Sequence, residues 1–238
     1  MTAARMQAIA RHETAAQEGY PQKEKETEME NKLKVLMLNG SPRPRGNIAL
    51  AFREMEQVFL ENDVEVENIL LGSKMIRGCI ACESCRKQHK CVFDDIVNEL
   101  AVKFGEADGL VIGSPVYYGS ANGTLMSALQ RLFYSTSFDK SLKVGASVVS
   151  ARRSGCTATF DELNKFFTLS NMPVATSQYW NNIYGWDPGE GEADAEGRQV
   201  MRVLARNMVF LMKSIALGKK EIGVPASEQP RVWTNFTR

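Results

Sequence analysis

The sequence predicts an α/β domain in which a five-stranded parallel sheet is doubly wound, with helices on both faces. Two observations carry this expectation. Short continuous apolar runs recur at "LKVLMLN" (33–39), "VEVENILL" (64–71), "DGLVIGS" (108–114) and "LKVGASVVSA" (142–151), as strands buried on both faces should. Amphipathic stretches follow most of them, at 47–61, 94–106, 122–134, 158–169 and 194–217.

Residues 1–31, rich in Ala, Glu, Gln and Lys, read as a mobile or partly helical extension, with His12 as a solvated side chain. The domain proper is expected over 32–217. Its segment 72–93 is too long for a compact connection and reads as an insertion with a purpose. A weaker fifth strand is expected at "MPVATSQ" (172–178), followed by an irregular surface excursion over 180–197. The tail 218–238 shows no period, and its Trp233 and Phe236 can tuck against the body or a partner subunit.

With 238 residues, 44% hydrophobic and 24% charged, the chain can bury one substantial core. A net charge of +1 gives no global attraction to nucleic acid or to a membrane surface, so neither is expected as a partner and any anion must be held locally. No apolar run approaches the roughly 20 residues that cross a bilayer, and no leader is evident, so the expected location is cytoplasmic.

Three loops carry the candidate chemistry. After the first strand comes "NGSPRPRGNIALAF" (39–52), where backbone amides and a helix N-terminus converge as they do on an anion. Ser41 and Asn47 add hydrogen bonds, Arg43 or Arg45 adds charge, and the Gly46-Asn47 pair opens the helix; the competing reading is an ordinary strand-to-helix turn. Neither a Walker A loop nor a G-x-G-x-x-G fingerprint is present. The third and fourth strands end in "GSPVYYGSANGTL" (113–125) and "SARRSGCTATF" (150–160). In a 2-1-3-4-5 sheet these loops face one crevice with the first. Pro115 shapes the loop, Gly119 permits close approach, and Tyr117 and Tyr118 offer flat surfaces, although one of them is expected to pack beneath the next helix. Arg152 or Arg153 can reach a carbonyl edge or be simply solvated.

Four cysteines, Cys79, Cys82, Cys85 and Cys91, lie within "GCIACESCRKQHKC". The compact spacing Cys-x2-Cys-x2-Cys-x5-Cys suits a cubane iron-sulfur cluster, with free thiols, zinc or a disulfide as the other readings. Arg86, Lys87 and Lys90 can offset cluster charge or merely be solvated, and His89 is expected to be exposed. Cys156 reads as a buried small residue, and Asp94 and Asp95 as helix caps. Two histidines and no Ser-His-Asp constellation leave the chemistry to a cofactor.

The pieces "LNGSPRPRGN", "GCIACESCRKQHKCVFDD", "ADGLVIGSPVYYGSANGTLMSALQR", "RRSGCTATFDELNKFF" and "NMPVATSQYWN" together resemble the NADPH-dependent FMN reductase branch of the flavodoxin-like superfamily. The cysteine motif is similar to that of its iron-sulfur flavoprotein subgroup, which implies Cys79, Cys82, Cys85 and Cys91 as ligands of a 4Fe-4S cluster. The resemblance implies FMN held non-covalently, its phosphate by the first loop (Ser41, Arg43, Arg45, Gly46, Asn47). It places the flavin ring against Pro115, Val116, Tyr117, Tyr118, Gly119, Arg152, Arg153 and Gly155. NAD(P)H as co-substrate, a quinone, flavin or similar small-molecule or protein acceptor, and a homodimer or homotetramer follow from the same likeness. The alternative it leaves is an electron-transfer carrier between redox proteins.

Overall fold

A computed structural model of the chain describes residues 32–226, 232 and 234; the expectations for 1–31, His12, Trp233 and Phe236 lie outside the described residues. The sheet consists of β1 (Lys34–Asn39), β2 (Glu65–Leu70), β3 (Gly109–Pro115), β4 (Val144–Ala151) and β5 (Asn182–Tyr184). All pairings are parallel and the order is 2-1-3-4-5, as expected. The helices are α1 (Asn47–Glu61), a single turn α2 (Cys85–Gln88), α3 (Ile96–Glu106), α4 (Gly123–Ser135), α5 (Cys156–Leu169) and α6 (Ala195–Ile222). Among the described residues no helix is long and apolar enough to cross a membrane.

The continuous apolar runs are explained by two covered faces. Successive strand residues point to opposite sides, so Val35 and Met37 enter the core beneath α1 and α6, whereas Leu36 and Leu38 enter the one beneath α3, α4 and α5. Each core carries large buried aromatics, Phe52 and Phe59 in the first and Phe104 and Phe167 in the second. Helix starts are marked by side chains that accept a first-turn amide: Asp95 from Val97, Asn122 from Leu125 and Asp194 from Gly197.

Three expectations need correction. β2 is not a buried strand; it is the sheet edge, and Glu65, Glu67 and Asn68 face out of the core while Val66 and Ile69 alone pack inward. The fifth strand is not at 172–178, where only a Gly145–Val174 bridge forms, but at 182–184, inside the stretch read as an excursion. Pro173 has no N–H to extend a ladder; its carbonyl accepts from the Gly145 amide at 2.8 Å before the chain leaves the sheet. The chain re-enters when the Asn181 side chain donates to the Ser147 carbonyl at 3.0 Å. Finally, α6 runs to Ile222 rather than ending near 217, because Lys219 and Lys220 in its last turn complement the helix dipole.

Candidate functional site

At the C-terminal ends of β1, β3 and β4 the polar loops are tied down by short hydrogen bonds. The Gly40 amide donates to the Gly113 carbonyl at 2.7 Å, fixing the first loop to β3. The Asn39 side chain accepts from the Ser41 amide at 2.9 Å, and the buried Ser41 hydroxyl accepts from the Arg43 amide at 3.2 Å. α1 then begins after Gly46, which provides no side-chain cap, and its first turn carries no acid. The positive end of the helix is therefore left without a cap or an acid from its own first turn.

The loop after β3 folds back as a two-residue turn, with Tyr117 and Ser120 exchanging both backbone hydrogen bonds at 2.9 and 3.1 Å. Its central residues, Tyr118 and Gly119, have φ of 52° and 78°. Glu162 on α5 clasps this turn, its carboxylate accepting from the Ser120 hydroxyl at 2.7 Å and the Ala121 amide at 2.9 Å. Neither tyrosine packs beneath the next helix: Tyr117 is 44% exposed and Tyr118 fully so, at 111%, which corrects the expectation that one would be covered. Both sit on a turn that stands clear of α4, whose N-terminus is held separately by the Asn122 amide donating to the Ser114 hydroxyl at 2.9 Å.

After β4, Arg152, Arg153 and Ser154 are exposed and Gly155 turns the chain into α5 with φ of 92°. A side chain at 155 would lie 2.8 Å from Val116 Cγ1, so glycine is what lets the third and fourth loops touch.

These loops enclose one cavity of about 460 Å³. Ser41, Arg43, Gly46, Asn47, Pro115, Val116, Tyr117, Tyr118, Gly119, Arg152 and Arg153 all line it. Arg45 is exposed and outside the lining, and Gly155 stands behind it against Val116. The lining that sequence reasoning missed is chiefly Gly185, Trp186 and Pro188. Arg43 Nη1 donates to the Trp186 carbonyl at 2.8 Å, and the Arg152 guanidinium lies 5.5 Å from the Trp186 ring centre. Asn47 is turned toward the same segment, accepting from the Gly191 amide at 3.2 Å. No local signal announced them, because Trp186 is placed by the hydrogen bond from Arg43 and by a strand that forms only beside β4.

A second hollow, of about 20 Å³, lies between the cysteine loop and α4. Cys79, Cys82, Cys85 and Cys91 all line it, with Phe93, Arg131, Tyr134 and Ser135. All four thiols are free; Cys79 and Cys82 are exposed, Cys85 and Cys91 partly buried. No three of the described His, Cys, Asp or Glu side chains are grouped so as to hold a metal ion. Arg86, Lys87, His89 and Lys90 point to solvent.

Arg131 is the charged residue of this wall, with its side chain only 1% exposed. It grips Asp95 with two hydrogen bonds of 2.7 and 2.8 Å, donates from Nε to Cys91 Sγ at 3.2 Å, and donates to the Arg77 carbonyl at 3.2 Å. The Phe93 ring is flanked by Arg77 and Arg131 at 4.4 and 5.0 Å. Burial pushes the Asp95 carboxyl up, but the Arg131 hydrogen bonds, the Val97 amide and the Arg131 charge together hold it below its usual range. Asp95 thus caps α3 as expected and also neutralises Arg131, whereas Asp94 is exposed. The Ser84 amide and hydroxyl pull the Cys82 thiol below its ordinary value. Cys156 is buried, as expected, and burial pushes its thiol up.

Of the two groups that the sequence resemblance implies, the cavity fits FMN, whereas the cysteine hollow as it stands does not fit a 4Fe-4S cluster. The cavity falls within the usual range for a cofactor site of about 300–1,000 Å³ and combines an uncapped helix N-terminus with exposed aromatic rings. The cysteine hollow has the donor set of a cluster but room for roughly one water, so a cubane enters only if the exposed loop 79–91 moves outward.

Comparison with known proteins agrees with this geometry. Residues 33–187 match the family model "NADPH-dependent FMN reductase". An iron-sulfur flavoprotein of Methanocaldococcus jannaschii is 33% identical over 191 residues, covering 77% of this chain and 99% of that protein. An iron-sulfur flavoprotein of Methanosarcina thermophila is 27% identical over 187 residues, covering 77% and 97%. The solved NAD(P)H:quinone oxidoreductase of Methanothermobacter marburgensis has the same fold, with a TM-score of 0.59 at 14% identity over 74% of this chain and 96% of that one. The family match spans more than half of the 238 residues, and its length coincides with the sheet and the three loops that line the cavity. The chain belongs to the NADPH-dependent FMN reductase family, a family of flavin-dependent oxidoreductases.

Proposed function

We propose that this protein holds FMN in the 460 Å³ cavity and passes electrons from NAD(P)H to a quinone, flavin or similar acceptor. The observation that carries the reading is the convergence of three separate loops, from β1, β3 and β4, on that one cavity. Ser41, Gly46 and Asn47 at the start of α1 would hold the phosphate, with Arg43 supplying charge. Pro115 to Gly119 would support the flavin ring, and Arg152, next to Trp186, would face its polar edge. Once bound, FMN supplies the hydride acceptor and electron donor that no side chain of this chain provides.

Titrating apoprotein with FMN while following quenching of flavin fluorescence tests the binding half. Steady-state oxidation of NADH and of NADPH with a quinone or free flavin as acceptor tests the other. A protein that takes up no FMN at micromolar concentration refutes the proposal.

The four cysteines lining one hollow favour a second reading, in which a 4Fe-4S cluster accompanies FMN and the protein carries electrons between redox partners. Both full-length relatives described above are called iron-sulfur flavoproteins, which supports it. The absorption spectrum of anaerobically purified protein, with iron and sulfide analysis, discriminates: flavin bands alone favour the reductase, and a broad brown shoulder with iron and acid-labile sulfide favours the carrier. The exposed Tyr179, Trp180, Tyr184 and Trp186 near the cavity suit a second copy of the chain, so a homodimer or homotetramer is part of the proposal. Its mass in solution by light scattering decides. A cytoplasmic location, where thiols stay reduced, suits the five free cysteines.

A further inference from the structure

Beside the flavin cavity, and sharing Arg152, Gly185 and Trp186 with it, lies a second, open hollow of about 740 Å³. Its further walls include the Tyr184 ring and two carboxylates, Glu190 and Asp194. Among the described residues no Asp or Glu lines the flavin cavity, whereas Arg43, Arg152 and Arg153 do. The charges are therefore ordered. Arginines lie within, Arg152 stands on the shared border, and carboxylates lie outside it, where no other cation joins the lining among the described residues.

Both acids are held in place by backbone amides. Glu190 Oε2 accepts from the Trp186 and Asp187 amides at 2.6 and 3.2 Å, which hold its carboxyl below the ordinary range, so it is charged at neutral pH. Its other oxygen, Oε1, has no hydrogen-bond partner among the described residues. Asp194 accepts from the Tyr184 amide at 2.7 Å and, with its other oxygen, from the Gly197 amide at 2.9 Å. Each of those oxygens keeps a lone pair to spare. The Tyr184 and Trp186 rings are 42% and 60% exposed, so flat apolar surface remains uncovered between the acids and Arg152.

Flat rings, a cation toward the flavin and acceptors away from it match one end of a dinucleotide. Outward from a nicotinamide stacked on the flavin, such a molecule presents its pyrophosphate and then its adenosine ribose. We propose that this hollow is the adenosine subsite of the pyridine nucleotide, that Arg152 meets the pyrophosphate, and that Glu190 and Asp194 accept from the ribose hydroxyls, so that NADH is selected over NADPH. The inference rests on the flavin reading above and deepens it, because it names which nucleotide the site takes.

The selectivity follows from charge. A carboxylate accepts hydrogen bonds from a ribose diol, whereas a 2′-phosphate removes one of those donors and brings negative charge to the same place. Tyr179 and Trp180 stand outside the lining and remain available to a second copy of the chain.

Calorimetric titration of the FMN-loaded full chain with ADP-ribose and with 2′-phospho-ADP-ribose tests the inference without turnover. ADP-ribose should bind about tenfold more tightly, the equivalent of one hydrogen bond to a charged group. The kcat/KM values for NADH and NADPH should fall in the same order. Glu190→Gln keeps an oxygen for the two amides and removes the charge, so it should narrow the preference several-fold. Weakening of both probes by one factor would mark Glu190 as structural and overturn its role. Wild-type protein that binds both probes equally, or prefers the phosphorylated one, overturns the selectivity, and it decides the matter if the variant fails to fold. Protein that takes up FMN and neither probe overturns this inference alone; protein that takes up no FMN overturns the flavin reading with it.

Discussion

Replacing Tyr118 with glycine should make the apoprotein no less stable while weakening its hold on flavin. Tyr118 has φ of 52°, in the left-handed region where a side-chain-bearing residue pays roughly 1–2 kcal/mol. Its ring is fully exposed, so folding of the apoprotein buries none of it and truncation forfeits no packing. Glycine removes the strain but loses about 0.5–1 kcal/mol to its freer unfolded chain. The balance lies between about zero and 1.5 kcal/mol in favour of the variant, a rise of up to roughly 5 °C for a chain of this size. At an ordinary turn position with negative φ the same change would be destabilising, so the sign is diagnostic. A flat heteroaromatic guest would lose one stacking partner worth about 1–3 kcal/mol, raising Kd at least about fivefold. Thermal unfolding of apoprotein and FMN titration by fluorescence read the two halves. A fall in Tm near 3 °C, or an unchanged Kd, would refute the reasoning.

Glu54 accepts from Arg198 at 2.7 Å and from Arg202, joining α1 to α6. Burial raises its carboxyl, but the two arginines outweigh that and hold it below 4.5. A depressed folded pKa contributes stability that is complete above the ordinary value and lost as pH falls through the folded one. Glu54→Gln should therefore cost about 1–2 kcal/mol at pH 7, discounted because both arginines are about a third exposed. Urea midpoints of the two proteins should converge as pH falls below the ordinary carboxylate range. Glu162→Ala removes both ties on the Tyr117–Ser120 turn, and FMN titration should show affinity several-fold weaker with little change in Tm; unaltered affinity would show that the clasp is irrelevant. Gly155→Ala adds a left-handed penalty to a 2.8 Å approach to Val116, together about 2–5 kcal/mol, which a urea midpoint equal to wild type would contradict.

The parts of the fold legible in the sequence are those where one local rule decides. β1, β3 and β4 are continuous apolar runs because both faces are covered, and α1 begins at the Gly46-Asn47 pair that was read as its opening. β2 misleads because its Val and Ile supply an apolar count while its position at the edge leaves the intervening Glu65 and Glu67 in solvent. β5 is only three residues long and is set by its neighbour β4, which no local period can announce. The site divides in the same way. Ser41, Tyr118 and Arg152 are visible because strand-end loops in this sheet order share a mouth. Trp186 is not, since its place depends on a hydrogen bond to Arg43, 143 positions earlier. Arg131 occupies the buried side of α4 beside Ala128 and Leu132, and a charge there was the one available sign of a polar site.

Left-handed backbone separates framework from site more sharply than burial does. Among the described residues, seven other than glycine have positive φ. Asp63 and Asn171 follow the ends of α1 and α5, and His89 caps α2, where such a conformation is the ordinary way to stop a helix. Leu142 lies in the turn that leads into β4. Tyr118, Ala81 and Glu83 end no helix, and they stand at the two candidate sites, one on the cavity wall and two within the cysteine loop. Strain that folding does not need persists where another requirement holds it. At Tyr118 the holding elements are Glu162 and the paired Tyr117–Ser120 bonds, which fix the backbone of the turn at the cavity wall. Around Ala81 and Glu83 the described contacts are few, chiefly the Ala81 amide donating to Cys79 Sγ at 3.4 Å and a Glu83–Arg86 ion pair at 3.0 Å. The cavity wall is thus braced at its strained residue, whereas the ties of the cysteine loop fall at its far end, where the Cys91 amide donates to Asn98 at 3.0 Å and Arg131 donates to Cys91 Sγ at 3.2 Å.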